Sequence, residues 1–143
     1  MKLLSIAIPC YNSQSYMRKC VESLLPGGDD VEIIIVNDGS KDETATIAEE
    51  YAVRYPSIVK TVHQENGGHG EAVNAGLRNA TGLYFKVLDS DDWVDAEAYQ
   101  SIIKNLKELV HSGEMVDMFL SNFVYEKEGK KHKKVIVLVQ RKT

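Results

Sequence analysis

VEIIIVNDGS, Val31 to Ser40, is the stretch that decides the fold. Val31–Val36 is short, apolar and β-branched, with no alternation of polar and apolar residues, so it reads as a strand buried on both faces. Asn37-Asp38-Gly39-Ser40 then stops it with turn composition. The same grammar repeats outward on either side. Leu3–Ile8, Ile58–Val62, Leu83–Leu88 and Val116–Leu120 are further apolar runs. Helical patterns lie between them: Tyr16–Leu25, Glu43–Tyr55, Glu71–Asn79 and Ala96–His111. Successive runs begin 25–33 residues apart, the length of a strand-plus-helix unit. The expected fold class is therefore α/β, an open, mostly parallel sheet with helices on both faces.

Punctuation supports these bounds. Pro26-Gly27-Gly28 is expected to end the first helix and Asp42 to cap the second. Pro56 closes the second, because its ring cannot continue a helix. Phe119–Glu126 and Lys133–Gln140 read as two strands of a C-terminal β-hairpin around Gly129.

Composition narrows the class. The chain has 143 residues, 43% hydrophobic and 27% charged, which is ordinary for one globular domain. Its two cysteines, Cys10 and Cys20, have no metal-ligand spacing and fit a reduced compartment. Residues 1–126 hold 10 Lys+Arg against 20 Asp+Glu, and residues 127–143 hold 7 against 1. Acidity where the motifs lie argues against a nucleic-acid partner and suits a divalent metal. No apolar run approaches the roughly 20 residues of a membrane span. A cytoplasmic place is expected, at most against the inner face of the membrane. The basic stretch Lys127–Lys134 reads as a solvated hairpin turn rather than a lipid contact.

In an open α/β sheet, ligands sit beyond the carboxyl ends of the strands. Pro9-Cys10-Tyr11-Asn12 follows the first run and Asn37-Asp38-Gly39-Ser40 the second. Gln64–Gly70 follows the third and Asp89-Ser90-Asp91-Asp92 the fourth. The polar residues thus gather at one sheet edge. Three carboxylates in four residues repel one another, and a hard cation such as Mg²⁺ or Mn²⁺ relieves that. A helix N-terminus is the competing explanation for some of them, with Asp92 or Asp95 as the cap. Asp38 serves either a ligand or its turn. Gly68 and its neighbours form either a flexible loop or one that lets backbone approach a ligand, and His69 is either simply exposed or a phosphate contact or acid/base group. Trp93 packs under the acidic loop or stacks on a ligand. The glycine loop is not a P-loop, since no Gly-Lys-Ser/Thr follows it.

Four blocks in order resemble glycosyltransferase family 2, the GT-A fold. They are Ser5–Asn12, Ile34–Asp42, Gln64–Gly68 with Asn74-Ala75-Gly76-Leu77, and Leu88–Asp92, whose Asp89-Ser90-Asp91 looks like the DxD motif. The resemblance runs from Leu4 to Val94 and more weakly to the hairpin near Tyr125. It implies an enzyme that takes a nucleotide-diphospho-sugar, a UDP-sugar by family habit. The sugar passes to a saccharide or lipid-linked acceptor hydroxyl, with inversion and with Mn²⁺ or Mg²⁺. By position, Pro9, Tyr11 and Asp38 hold the base, with Asn12, Gly68, His69 and Ser90 also in the donor site. Asp89 meets the ribose or the metal's water shell, and Asp91 ligates the metal.

Two positions depart from the family pattern. Val73 stands where Arg is common, with His69 or Arg78 as substitutes, and Asn37 stands where Asp is usual. No base for the acceptor is found between Trp93 and Thr143; nothing places Glu97, Asp117 or Glu126 opposite a sugar. The expectation is that residues 1–95 form the nucleotide-sugar-binding region, with 96–143 leading toward an acceptor region. The whole is then the donor-binding part of a longer enzyme whose general base lies beyond Thr143. The alternatives are a non-catalytic nucleotide-sugar-binding module and, more remotely, a haloacid-dehalogenase-like phosphatase with Asp89 as nucleophile.

Overall fold

The computed structural model describes residues 2–113 in full and, beyond them, the main chain of residues 118–127 and 130–141. Strands and helices alternate along the fully described part: β1 (Leu4–Cys10), α1 (Met17–Leu24), β2 (Val31–Asp38), α2 (Thr44–Arg54), β3 (Val59–Gln64), α3 (His69–Asn79), β4 (Tyr84–Val87) and α4 (Ala96–His111). The four strands lie in the order β3-β2-β1-β4, all parallel. The strand order reverses at β1, since β2 and β3 build outward on one side and β4 returns to the other. The turn of the expected hairpin, Gly129, and the first residues of the run Val116–Leu120 lie outside the described residues. Among the described residues, no helix is long and apolar enough to cross a membrane.

All eight residues of β2 are buried. Side chains alternate along a strand, so β2 feeds two cores at once. Val31, Ile33 and Ile35 join Leu4, Ile6 and Ile8 of β1 against α1, α2 and α4. Ile34 and Val36 face the other way, onto Ala72 and Ala75 of α3. The helices answer with apolar positions at helical spacing. Met17, Cys20, Val21 and Leu24 are the buried face of α1, and Tyr99, Ile103 and Leu106 that of α4. Helix α3 uses small residues because it sits very close to β1: a Cβ on Gly76 would lie 2.6 Å from that of Ala7.

Two expectations need correction. Pro26-Gly27-Gly28 does not itself end α1, which stops at Leu24; the three residues sit inside a 3-10 turn, Leu25–Asp30. That turn is pinned by the Tyr99 hydroxyl, which donates to the Leu24 carbonyl at 2.8 Å and leaves no room for a Cβ on Gly27. Asp42 is not the N-cap of α2. Glu43 takes that position, and Asp42, two residues before Thr44, accepts from its N–H at 3.0 Å and its hydroxyl at 2.5 Å. Asp95, by contrast, does cap α4, accepting from the Ala98 N–H at 3.0 Å.

The run Val31–Val36 is also less apolar than its neighbours suggest. Glu32 is 4% exposed at the opposite end of the sheet from the polar loops. Its carboxylate accepts from the Ser5 hydroxyl at 2.9 Å, and from the Thr81 N–H at 3.0 Å and hydroxyl at 2.6 Å. Lys60 of β3 pairs with its other oxygen. Burial works to raise the acid's pKa, but Lys60, Thr81 and Ser5 together prevail and hold it below the usual range. One carboxylate thus ties β1, β2, β3 and the turn before β4.

Replacing it strands all of those partners. Glu32→Ala is expected to cost about 2–4 kcal/mol, less than a fully buried pair because Lys60 stays 40% exposed. A depressed folded-state pKa stabilises the fold above the unfolded value of about 4.3, and that stability is lost as pH falls through the folded pKa. Urea melts at pH 7 and below pH 4 check both points: the gap between wild type and Glu32→Gln should narrow in acid.

Candidate functional site

The carboxyl ends of β1, β2, β3 and β4 deliver four loops to one edge of the sheet, beside the point where strand order reverses. The β1 and β2 loops are laced together. The Asn12 N–H donates to the Ser40 hydroxyl at 3.0 Å, and the Lys41 N–H to the Asn12 side-chain oxygen at 2.8 Å. Ser13 N–H donates to the Thr44 hydroxyl at 2.8 Å, and Glu43 N–H to the Gln14 side chain at 2.9 Å. Asn12 is the one non-glycine residue with a positive φ among the described residues, 50°, a conformation asparagine tolerates through local hydrogen bonding.

Asp38 organises the third loop. It is 3% exposed. One oxygen accepts from the Gln64 amide at 2.8 Å and the Gly67 N–H at 2.9 Å; the other accepts from the Gly68 N–H at 3.0 Å. Its main-chain carbonyl accepts from the Asn66 amide at 3.0 Å. Burial pushes its pKa upward, but the bonds from Gln64, Gly67 and Gly68 outweigh it and hold the acid below the usual range. Gly39 beside it has φ 70°, and a Cβ there would meet the Asn66 nitrogen at 2.6 Å. Gly68 has φ 94° and leads directly into α3.

The fourth loop carries the acids. The carboxylates of Asp89, Asp91 and Asp92 are exposed, with one oxygen of each within 4.8 Å of the others. Burial, then Asp91 and Asp89, raise the Asp92 pKa. Ser90 points the other way: it is buried, its hydroxyl 2.9 Å from that of Ser13. The acidic loop is therefore anchored to the β1 loop. Cys20 lies beneath it, its thiol 3.5 Å from the Asp89 carbonyl. Burial pushes the Cys10 thiol up to about 12, so it stays protonated and unreactive.

The candidates read from sequence thus converge, but in different capacities. Pro9 is the last residue but one of β1, in register with Val36, and Tyr11 is 48% exposed at the rim. His69 begins α3 with its Nε2 3.5 Å from Asp89, bridging the third and fourth loops. Asp38 and Ser90 are held inside the scaffold. Trp93 is half exposed, with the Lys19 ammonium 3.6 Å from its ring centroid. Sequence reading missed Ser13, Gln14 and Thr44, whose work is entirely loop lacing; a run of Asn, Ser, Gln and Thr signals a turn without naming its partners. An open groove of about 730 Å³ lies elsewhere, along α2 and His63, and contains none of the candidates.

Asp38→Asn tests the organising role. An amide offers one acceptor oxygen where three donors converge, so the Gly67 and Gly68 N–H groups are expected to exchange with solvent about 10–100-fold faster. Hydrogen exchange read by NMR checks this, and unchanged protection would count against it.

Comparison with known proteins agrees with this geometry. The Glycosyl transferase family 2 profile matches residues 5–138. EpsH of Bacillus subtilis, which bears a glycosyltransferase name, is 37% identical over 126 residues, covering 87% of this chain and 35% of EpsH. The glycosyltransferase GlyA of Streptococcus pneumoniae is 35% identical over 106 residues, covering 73% of this chain and 15% of GlyA. Among solved structures, S. aureus TarS 1–349 in complex with UDP-GlcNAc superimposes with a TM-score of 0.67 at 29% identity, over 82% of this chain and 33% of TarS. The chain spans about a third of the length of EpsH and of TarS 1–349. A phosphatase reading has no support left. Four laced loops at the carboxyl edge of a parallel sheet, and a family match over nearly the whole sequence, lead to one assignment: the chain belongs to glycosyltransferase family 2.

Proposed function

We propose that this chain is the donor-binding part of a glycosyltransferase. It takes a nucleotide-diphospho-sugar, a UDP-sugar first, and serves transfer to a saccharide or lipid-linked acceptor hydroxyl. The observation that carries the reading is the convergence of the Asp38-organised glycine loop, the Tyr11–Asn12 loop and the acidic Asp89–Asp92 loop at one sheet edge. Binding of UDP-GlcNAc by TarS, a relative in fold and sequence, favours a uridine donor. Residues 1–95 hold the donor and 96–143 lead toward the acceptor. A C-terminal hairpin, Met118–Lys127 with Lys130–Arg141, extends the sheet beyond β4; main-chain pairing of Tyr84 with Arg141 and Phe85 with Gln140 supports this.

The acidic loop fits a divalent cation. Its oxygens are hard ligands, close together and exposed, and their mutual repulsion is relieved by positive charge. Asp91, with Asp89, would hold Mn²⁺ or Mg²⁺, which supplies Lewis acidity at the leaving diphosphate. The chain's own groups do the rest. Pro9 and Tyr11 line the base pocket. Asp38 presents Gly67 and Gly68 in a fixed backbone geometry, and His69 sits where the third and fourth loops meet. In an inverting transfer the acceptor oxygen bonds to the anomeric carbon as the sugar–phosphate bond breaks. Gripping the diphosphate in the ground state gives no rate. The site must hold the added negative charge of the departing group more tightly than the intact donor.

Calorimetry with UDP, GDP, dTDP and CDP, each with Mn²⁺ and again with EDTA, tests the reading. UDP is expected to bind with metal, and Asp91→Asn to weaken that by about tenfold or more. No metal-dependent binding of any nucleotide would overturn it.

A further inference from the structure

His63 stands beside Asn37, its register partner on β2, on the sheet face opposite Asp38. It belongs to a hydrogen-bonded chain that the donor site alone does not explain. The Asn37 side-chain oxygen accepts from the Ser40 N–H at 3.1 Å. That fixes the amide: its NH₂ must face His63, 3.1 Å from Nδ1. Nδ1 is then an acceptor, and the ring proton sits on Nε2, which donates to Glu49 at 2.6 Å. The same Glu49 oxygen accepts from the Thr61 hydroxyl at 2.7 Å. His63 and Thr61 hold the Glu49 carboxyl below its usual range, so it remains an anion and an acceptor. At the inner end, Ser40 accepts from the Asn12 N–H. The chain runs from the exposed surface of α2, through His63 and Asn37, to the strained residue beside Tyr11.

We propose that His63 is a positioning residue for nucleotide binding: neutral and protonated on Nε2, it orients Asn37 to anchor Ser40 and the Tyr11–Asn12 loop, and a second proton on His63 releases that anchor. The proposal rests on the donor-site reading for its nucleotide clause. A proton on Nδ1 sets N–H against N–H. Asn37 must then turn its oxygen to the ring and give up the Ser40 N–H. The groups facing His63 are few among the described residues. Asn37 comes from β2, Glu49 from α2, and Thr61 from its own strand; Glu50 and Arg54 of α2 line the same groove. Asn37 is what makes the response one of release. An aspartate there would accept from Ser40 with one oxygen and from imidazolium with the other, so protonation would tighten the anchor.

NMR of the full chain without nucleotide decides whether the relay exists. The ring ¹⁵N shifts of His63 should report the Nε2–H tautomer at pH 7.5. The Ser40 and Asn12 amide shifts should change in step with the His63 ring shifts across a pH titration. Glu49→Gln, an exposed change that keeps an acceptor but removes the anion, should move both midpoints together to lower pH. Asn37→Asp should reverse the sense of the Ser40 shift. The other tautomer, or a Ser40 amide that ignores the His63 titration, overturns the proposal. UDP titrations with Mn²⁺ then test the nucleotide clause. Between pH 7.5 and 5.5 the wild-type affinity should fall about fivefold or more beyond the fall in Asn37→Asp. Equal falls overturn the clause. Absence of UDP binding at both pH values overturns the donor-site reading itself, while the Ser40 titration still decides the relay.

Discussion

Everything at the loop edge depends on β2 being buried on both faces. A strand with core on each side has no slack. Its last two residues are polar, and the pleat sends them to opposite faces, each beside its register partner on β3. Asp38 goes to the α3 side with Gln64 and gathers the glycine loop. Asn37 goes to the α2 side with His63 and holds Ser40. One rigid strand end therefore positions two loops through two unlike side chains. Shifting the register by one residue would exchange their partners and leave both loops without anchors.

The layout was legible because burial writes itself into sequence. Apolar runs such as Val31–Val36 and Leu3–Ile8 located the strands to within two residues at their ends, and their spacing implied parallel order. The gathering of Tyr11, Asp38, His69 and Asp89 at one edge followed from strand direction alone. What stayed hidden was pairing across the chain. Ser13 with Ser90 spans 77 residues, and Glu32 with Thr81 spans 49. Small polar residues announce that a backbone group needs satisfying, but not which one. Glu32 was concealed further by its neighbours, since a single acid among Val and Ile was absorbed into an apolar run. His63 was hidden for the same reason: only the amide orientation of Asn37 reveals what it accepts and donates.

The acidic loop shows how opposite requirements share four residues. Ser90 is turned inward and fastened to Ser13, while Asp89, Asp91 and Asp92 are left in solvent. The inward serine fixes the loop, so the repulsion among the outward acids cannot simply relax by unfolding it. Helix α4 is started not by these acids but by Asp95, which leaves all three carboxylates free of the helix end.

The order β3-β2-β1-β4 leaves β3 as the outermost of the parallel strands on its side. Among the described residues its main chain is paired with β2 alone, so its other rim offers the donors and acceptors that another chain's strand could zip onto. Its composition works against such self-association. Lys60, His63 and Gln64 interrupt Val59 and Val62, and Lys60 is committed to Glu32 while keeping part of its length in solvent. The ion pair that ties the bottom of the sheet thus also keeps a partly exposed lysine on the edge strand, whose polar composition discourages strand-to-strand aggregation.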